Sequence, residues 1–247
     1  MDKTSVREIE PASFDHALIL KKKSNIVICL LIIVFGISSA IYKVHYEGGF
    51  LTCFREMTVN GTVFSTIVAF FLIIVNLWEI RSRREIIYNA LYYMRLSSAV
   101  TEAIIFVVVL IGYCLRNYLP NDNPVFFRYD MIMMHVLVPA LVILSFCIND
   151  APVPVDRVWK RLYGAFFVTV YGVTMIVLIL ANVVPENKIP YSFLNVRHGN
   201  PVFLLFSYLM IYLICFGFST LFIWLNRKVY WRSYNVNWLR KLGGNQS

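Results

Sequence analysis

Thr58 and His135 are the residues whose types and positions point to chemistry. A threonine hydroxyl is too weak an acid to attack an ester unaided. A neighbouring general base that accepts its proton as the carbon–oxygen bond forms turns it into a nucleophile. An imidazole titrates near neutrality, so it can take that proton and later return it to the leaving group. Such assistance typically contributes about 10²–10⁴-fold. Thr58 immediately precedes an apolar stretch, Val59 to Ile80, and His135 lies inside another, Met131 to Ile148. At a rise of about 1.5 Å per residue, the imidazole sits about 6 Å, or one turn, below the start of its stretch. The two stretches are the second and the fourth of the chain and therefore run in the same direction. The hydroxyl and the imidazole thus share one membrane depth whichever side is outside, and only the lateral adjacency of the two stretches is left open.

The elements that must hold this pair are membrane helices. Of the 247 residues, 59% are hydrophobic and only 15% charged, against about 45–50% and about 25% in ordinary soluble domains. A water-facing surface of the usual kind cannot be built from that composition, and 16% aromatic residues exclude a disordered chain. Six segments are long and apolar enough to cross a bilayer: Asn25 to Tyr42, Val59 to Ile80, Ser97 to Leu115, Met131 to Ile148, Leu162 to Val184 and Val202 to Leu225. Runs such as IIFVVVLIGYCL and VFLLFSYLMIYLICFGF are apolar on every face, whereas barrel strands alternate. The expected fold is all-α, a polytopic membrane protein with six transmembrane helices. It divides into a polar leader over 1–24, the six-helix domain over 25–226 and a basic aromatic tail over 227–247.

Charge sets the expected orientation. Lys3, Arg7, the KKK run at 21–23, Arg81, Arg83, Arg84, Arg95, Arg157, Lys160, Arg161 and the basic tail fall on one side, leaving Lys43, Arg55, Arg116, Arg128, Lys188 and Arg197 on the other. The richer side is cytoplasmic by the positive-inside rule, which places both termini inside and makes a plasma-membrane, multi-pass location the expectation. The same rule accounts for the formal charge of +9, so no nucleic-acid partner is implied. The first span follows a long, partly acidic leader and reads as an uncleaved anchor. Five cysteines form no CxxC pair; Cys53 and Cys114 both lie toward the outer side, close enough in depth to consider a pairing.

Strongly polar side chains inside hydrocarbon cost about 2.5–3.5 kcal/mol each on insertion scales, so each needs a partner or a purpose. Asn76, Glu102, His135 and Asn182 are of this kind, with Thr58, Asn60, Glu79 and Asp150 near the span ends. Glu79, Asp150 and Asn76 are placed to reach inner water or Arg81 and Arg83. Glu102 is expected to pair with another helix. Asn60, two residues beyond Thr58, carries an amide that can orient a substrate carbonyl or bond between helices. His45 and His198 share the outer segments with His135, but no tight spacing supports a three-histidine metal site, and the chemistry needs neither metal nor cofactor.

At FREMTVNGTVF and MHVLVPALVIL the sequence resembles the androgen-induced-protein-like family of six-helix membrane proteins and its prokaryotic members, and IPYSFLNVRHGNP is similar to that family's proline-containing outer loop. The resemblance runs from the first to the sixth helix with order and spacing preserved. It implies a threonine hydrolase that cleaves fatty-acid esters of hydroxy fatty acids, with Thr58 and His135 at the matching positions. HVLVP has one residue fewer between His and Pro than the animal motif, and TVN replaces its more apolar continuation, both as in the prokaryotic branch.

The expected function is an intramembrane lipid esterase, with Thr58 as nucleophile, His135 as base, membrane lipids as surroundings and a lipid ester as substrate. By analogy with catalytic triads, Asp130, five residues before His135, is the nearest acidic candidate to orient the imidazole. Tyr191, Arg197 and His198 are candidates to line the outer mouth and hold a carboxylate or headgroup. The alternative is a noncatalytic membrane protein that binds or transports a lipid or small solute along Glu102, Asn76 and His135.

Overall fold

The computed structural model describes residues 16–47, 49–83, 89–116, 128–153 and 157–243. Six helices are long and apolar enough to cross a membrane, and no strand occurs among the described residues. We label them α1 (His16–Tyr46), α2 (Met57–Ser82), α3 (Asn89–Arg116), α4 (Tyr129–Asn149), α5 (Val158–Leu180) and α6 (Pro201–Gly243). The protein is an integral membrane protein. Six spans in succession put the start of α1 and the end of α6 on one face, called here the chain-end face; the opposite one is the distal face.

α3 is the central helix. Of the six spans it has the largest buried share, 56% of its most apolar window, and it packs against α2, α4, α5 and α6. α1 lies along α2 and also against α4. The second and fourth spans therefore share the neighbours α1 and α3, and they meet each other at the distal end of the bundle. Without a hydrophobic drive between helices in lipid, close approach depends on small residues. Gly36 faces Thr62 and Thr66 across α1 and α2, Gly61 faces Thr101 and Ile105 across α2 and α3, and Gly164 faces Ser219 and Val100.

Within α4 the backbone widens to a π turn over Met133–Leu137, where the Val138 N–H bonds the Met133 carbonyl five residues back. The cause is Pro139. It has no N–H to give the His135 carbonyl four residues earlier, and its ring crowds that carbonyl, so the ladder is re-registered at His135.

Several expectations need correction. α1 begins at His16, inside the stretch expected to be a polar leader, and the KKK run is helical. Lys22 is buried and its ammonium meets Glu79 of α2 at 2.8 Å, so Glu79, itself buried, has a partner on α1. α3 begins at Asn89, not Ser97. Arg95, expected in the loop, is therefore a helical residue only 4% exposed and ion-paired with Asp150. α6 continues through residue 226 to Gly243. Asn182, expected inside the fifth span, lies beyond its end with a φ of 61°. It adopts the left-handed conformation that asparagine tolerates after a helix C-terminus.

Candidate functional site at the distal rim

His135 is 8% exposed and sits within the π turn. Its Nδ1 lies 3.1 Å from the Met131 carbonyl oxygen. A carbonyl only accepts, so Nδ1 is the nitrogen that carries hydrogen in this contact, and in the neutral ring Nε2 holds the lone pair. Nε2 has no hydrogen-bond partner among the described residues. The group orienting the imidazole is thus a backbone carbonyl one turn back, not the Asp130 carboxylate. Asp130 is fully buried and held by Arg128, whose Nε and Nη2 donate to its two oxygens at 2.9 and 2.5 Å. That paired carboxylate holds the Arg128 guanidinium above its usual range, by hydrogen bonding first. Arg128 also lies over the Tyr46 ring, 4.0 Å from its centroid.

Thr58 is half-buried in the first turn of α2. Its hydroxyl has no hydrogen-bond partner among the described residues, because no helical carbonyl lies one turn before it. Glu56 is the N-cap residue, yet its side chain makes no capping bond. Its carboxylate is taken by Lys43 at 2.9 Å, which also binds Glu47 at 2.8 Å. The first-turn amides of α2 are accordingly left without a carboxylate over them. The Met57 N–H donates to the Tyr191 hydroxyl at 3.3 Å, and the Tyr171 hydroxyl donates to the Arg55 carbonyl at 2.5 Å. The first bond lays the loop before α6 against the start of α2, and the second ties α5 to the turn just before it.

Val59 and Met134, the sequence neighbours of Thr58 and His135, belong to one buried cluster with Cys53. The expected pair therefore stands on touching elements at one end of the bundle. No hydrogen bond joins Thr58 to His135. Cys53 is a free, buried thiol whose Sγ donates to Glu47 at 3.7 Å. Burial, then that carboxylate, holds it above the usual thiol range. The Cys114 side chain lies outside the described residues.

The other candidates separate into two groups. Tyr191 is at the site, and burial raises its phenol above the ordinary range, so it stays a neutral hydroxyl. Asn60 is there too, but Nδ2 donates to the Phe54 carbonyl at 2.7 Å and the Glu56 carbonyl at 2.9 Å. Its amide hydrogens fix the turn before α2 and only its oxygen is free for a ligand. Arg197 instead donates to the Ile179 and Leu180 carbonyls and closes the end of α5. His198 is mostly exposed and faces Glu186 at 3.6 Å. Among the described residues no group of three metal-ligating side chains forms.

Residues not expected at this site are Lys43, Glu47, Glu56 and Met131. The spacing of Lys43 and Glu47, one helical turn, was a readable signal for their pair. Nothing in the sequence joins Lys43 to Glu56, because that contact crosses a turn whose course only the fold sets. No protein-family model, curated protein or solved structure matches this chain.

Proposed function

We propose that the protein is an intramembrane lipid esterase acting at its distal rim, which the basic chain-end face makes the outer one. The observation that carries this reading is the state of His135: Nδ1 is committed to the Met131 carbonyl, so Nε2 is left as a base on an element that packs against the start of α2, where the Thr58 hydroxyl has no partner among the described residues. Thr58 Oγ1 attacks the acyl carbon and its proton passes to Nε2. The charge that develops on the carbonyl oxygen falls to first-turn amides of α2, the usual anion-binding groups of a helix start. The alcohol leaves with the proton from Nε2, and water repeats the sequence to release the fatty acid and restore Thr58. A rim position suits both halves, because lipid enters from the hydrocarbon side and water from the other. The resemblance of FREMTVNGTVF and MHVLVPALVIL to threonine hydrolases of the androgen-induced-protein-like family supports the same assignment. It favours fatty-acid esters of hydroxy fatty acids as the substrate class.

The test is labelling of the purified protein with a fluorophosphonate, with mass spectrometry of the modified peptide and lipid profiling of membranes that contain it. Adduct on Thr58, lost in both Thr58→Ala and His135→Ala with the fold retained, is the expected result. Equal labelling of all three proteins would overturn the assignment. The competing reading, a noncatalytic carrier using Glu102, Asn76 and His135 as one polar path, has less support because these groups have separate surroundings. Glu102 is tied to Ser65, His135 to Met131, and Asn76 Nδ2 is buried without a partner among the described residues. Lipid binding that survives both substitutions would favour the carrier.

A further inference from the structure

The central helix α3 holds a second polar assembly, which the esterase reading does not use. Glu102 is fully buried and lies thirteen residues past Asn89, roughly 20 Å along the helix from that chain-end start. Its Oε1 accepts a hydrogen bond from Ser65 of α2 at 2.6 Å, and Ser65 accepts one from Ser98 of α3 at 2.8 Å. Oε2 is buried without a hydrogen-bond partner among the described residues. Toward the chain-end face, a cavity with room for about one water molecule is bordered by Ser65, Ser98, Arg95 and Cys29. Beyond it Arg95 donates to Ser145 at 2.7 Å, Ser145 donates to Asn25 at 2.6 Å, and Arg95 is paired with Asp150 at the end of α4.

We propose that Glu102 is an internal proton-binding site, loaded from the chain-end face through the water-sized cavity, Ser98 and Ser65. The donors already point the required way. A hydronium proton enters at the cavity water, that water gives a hydrogen to Ser98, Ser98 gives its own to Ser65, and Ser65 gives its own to Glu102 Oε1. Each oxygen between gains one hydrogen and passes one on, and the single net change is a protonated carboxyl.

Charge supports the site. Buried charged groups of the surrounding bundle are engaged with one another: Arg95 with Asp150, and Glu79 with Lys22. His135 of α4 is turned to Met131 and Tyr171 of α5 to Arg55, while Cys147 of α4 and Cys215 of α6 are buried thiols. Among the described residues no cation is ion-paired with Glu102, whose Oε2 is buried without a hydrogen-bond partner, and a lone carboxylate in hydrocarbon is the costly form.

The full chain reconstituted in lipid vesicles tests this by infrared spectroscopy during exchange from water to heavy water at neutral pH. The expected result is a protonated-carboxyl band that shifts on deuteration and disappears in Glu102→Gln. Its exchange should slow by about tenfold in Ser98→Ala, which keeps the carboxyl but cuts the relay. Absence of a band that depends on Glu102 would overturn the proposal. So would exchange at the original rate in both Ser98→Ala and Ser65→Ala. Fluorophosphonate labelling at Thr58 is read separately, so failure here and failure of the esterase reading are distinguishable.

Discussion

A side chain at the distal rim acts according to which of its polar atoms the protein has already used. His135 is poised because one ring nitrogen is spent on a carbonyl, and Asn60 is tied down because both amide hydrogens are spent on the turn before α2. Thr58→Ala and His135→Ala should each lower ester turnover by about 10²–10⁴-fold, measured as product release from vesicles, while melting temperature barely changes. Asp130 plays a different part, since its fully buried carboxylate has Arg128 as a bidentate partner. Arg128→Ala should therefore cost about 3 kcal/mol by stranding that charge, and adding Asp130→Asn should recover most of the loss. Thermal unfolding in detergent of the two single variants and the double variant checks this, and equal loss in Arg128→Ala and the double variant would refute it.

At the level of the helices, one residue sets the backbone geometry around His135. Pro139 removes the N–H that the His135 carbonyl would otherwise accept, and the π turn over Met133–Leu137 follows. Pro139→Ala restores that donor and favours ordinary α geometry, which rotates His135 relative to the start of α2. We expect stability to hold or rise while fluorophosphonate labelling of Thr58 slows by about tenfold or more. Unchanged labelling would show that the π turn does not aim the base. Helix contact itself rests on glycines. A Cβ at Gly164 would lie 1.9 Å from Ser219 Oγ, whose hydrogen is committed to the Cys215 carbonyl at 2.7 Å. Gly164→Val should cost about 1–3 kcal/mol by forcing α6 away, read as a lower unfolding temperature, whereas substitution at Gly172, with open space around it, should be near neutral.

Across the whole molecule, polar residues are concentrated inside the bundle and lipid-facing surfaces are apolar, an arrangement required when the solvent is hydrocarbon. The Arg95–Asp150 pair ties α3 to the end of α4, with side chains 5% and 10% exposed. Asn226 of α6 joins the same place by donating to the Phe146 and Asp150 carbonyls at 3.1 and 2.9 Å. Arg95→Met should lower stability by about 3–5 kcal/mol, because Asp150 is left as an unpaired buried charge, and Arg95→Met with Asp150→Leu should recover most of it. Chemical unfolding in mixed micelles distinguishes the two, and a double variant as weak as the single one would count against the account.

Six crossings, all-helical class and a common depth for Thr58 and His135 were legible in the sequence, because apolar run length and helical rise are local quantities that need no partner. Which neighbours those residues meet was not legible. Arg95 reads as one more basic residue in a loop and is an ion-paired core residue, since α3 starts eight residues earlier than its apolar run and Asp150 comes from another span. Asp130 reads as the partner of His135 five residues on and is instead neutralised by Arg128, two residues back, because the helix start turns its carboxylate that way. Arg197 and His198 read as the mouth of the site and are respectively the closure of α5 and an exposed partner of Glu186. Hydrocarbon thickness dictates where each residue lies along the membrane normal, whereas side-chain hydrogen bonds and close glycine contacts between separate spans decide what it faces.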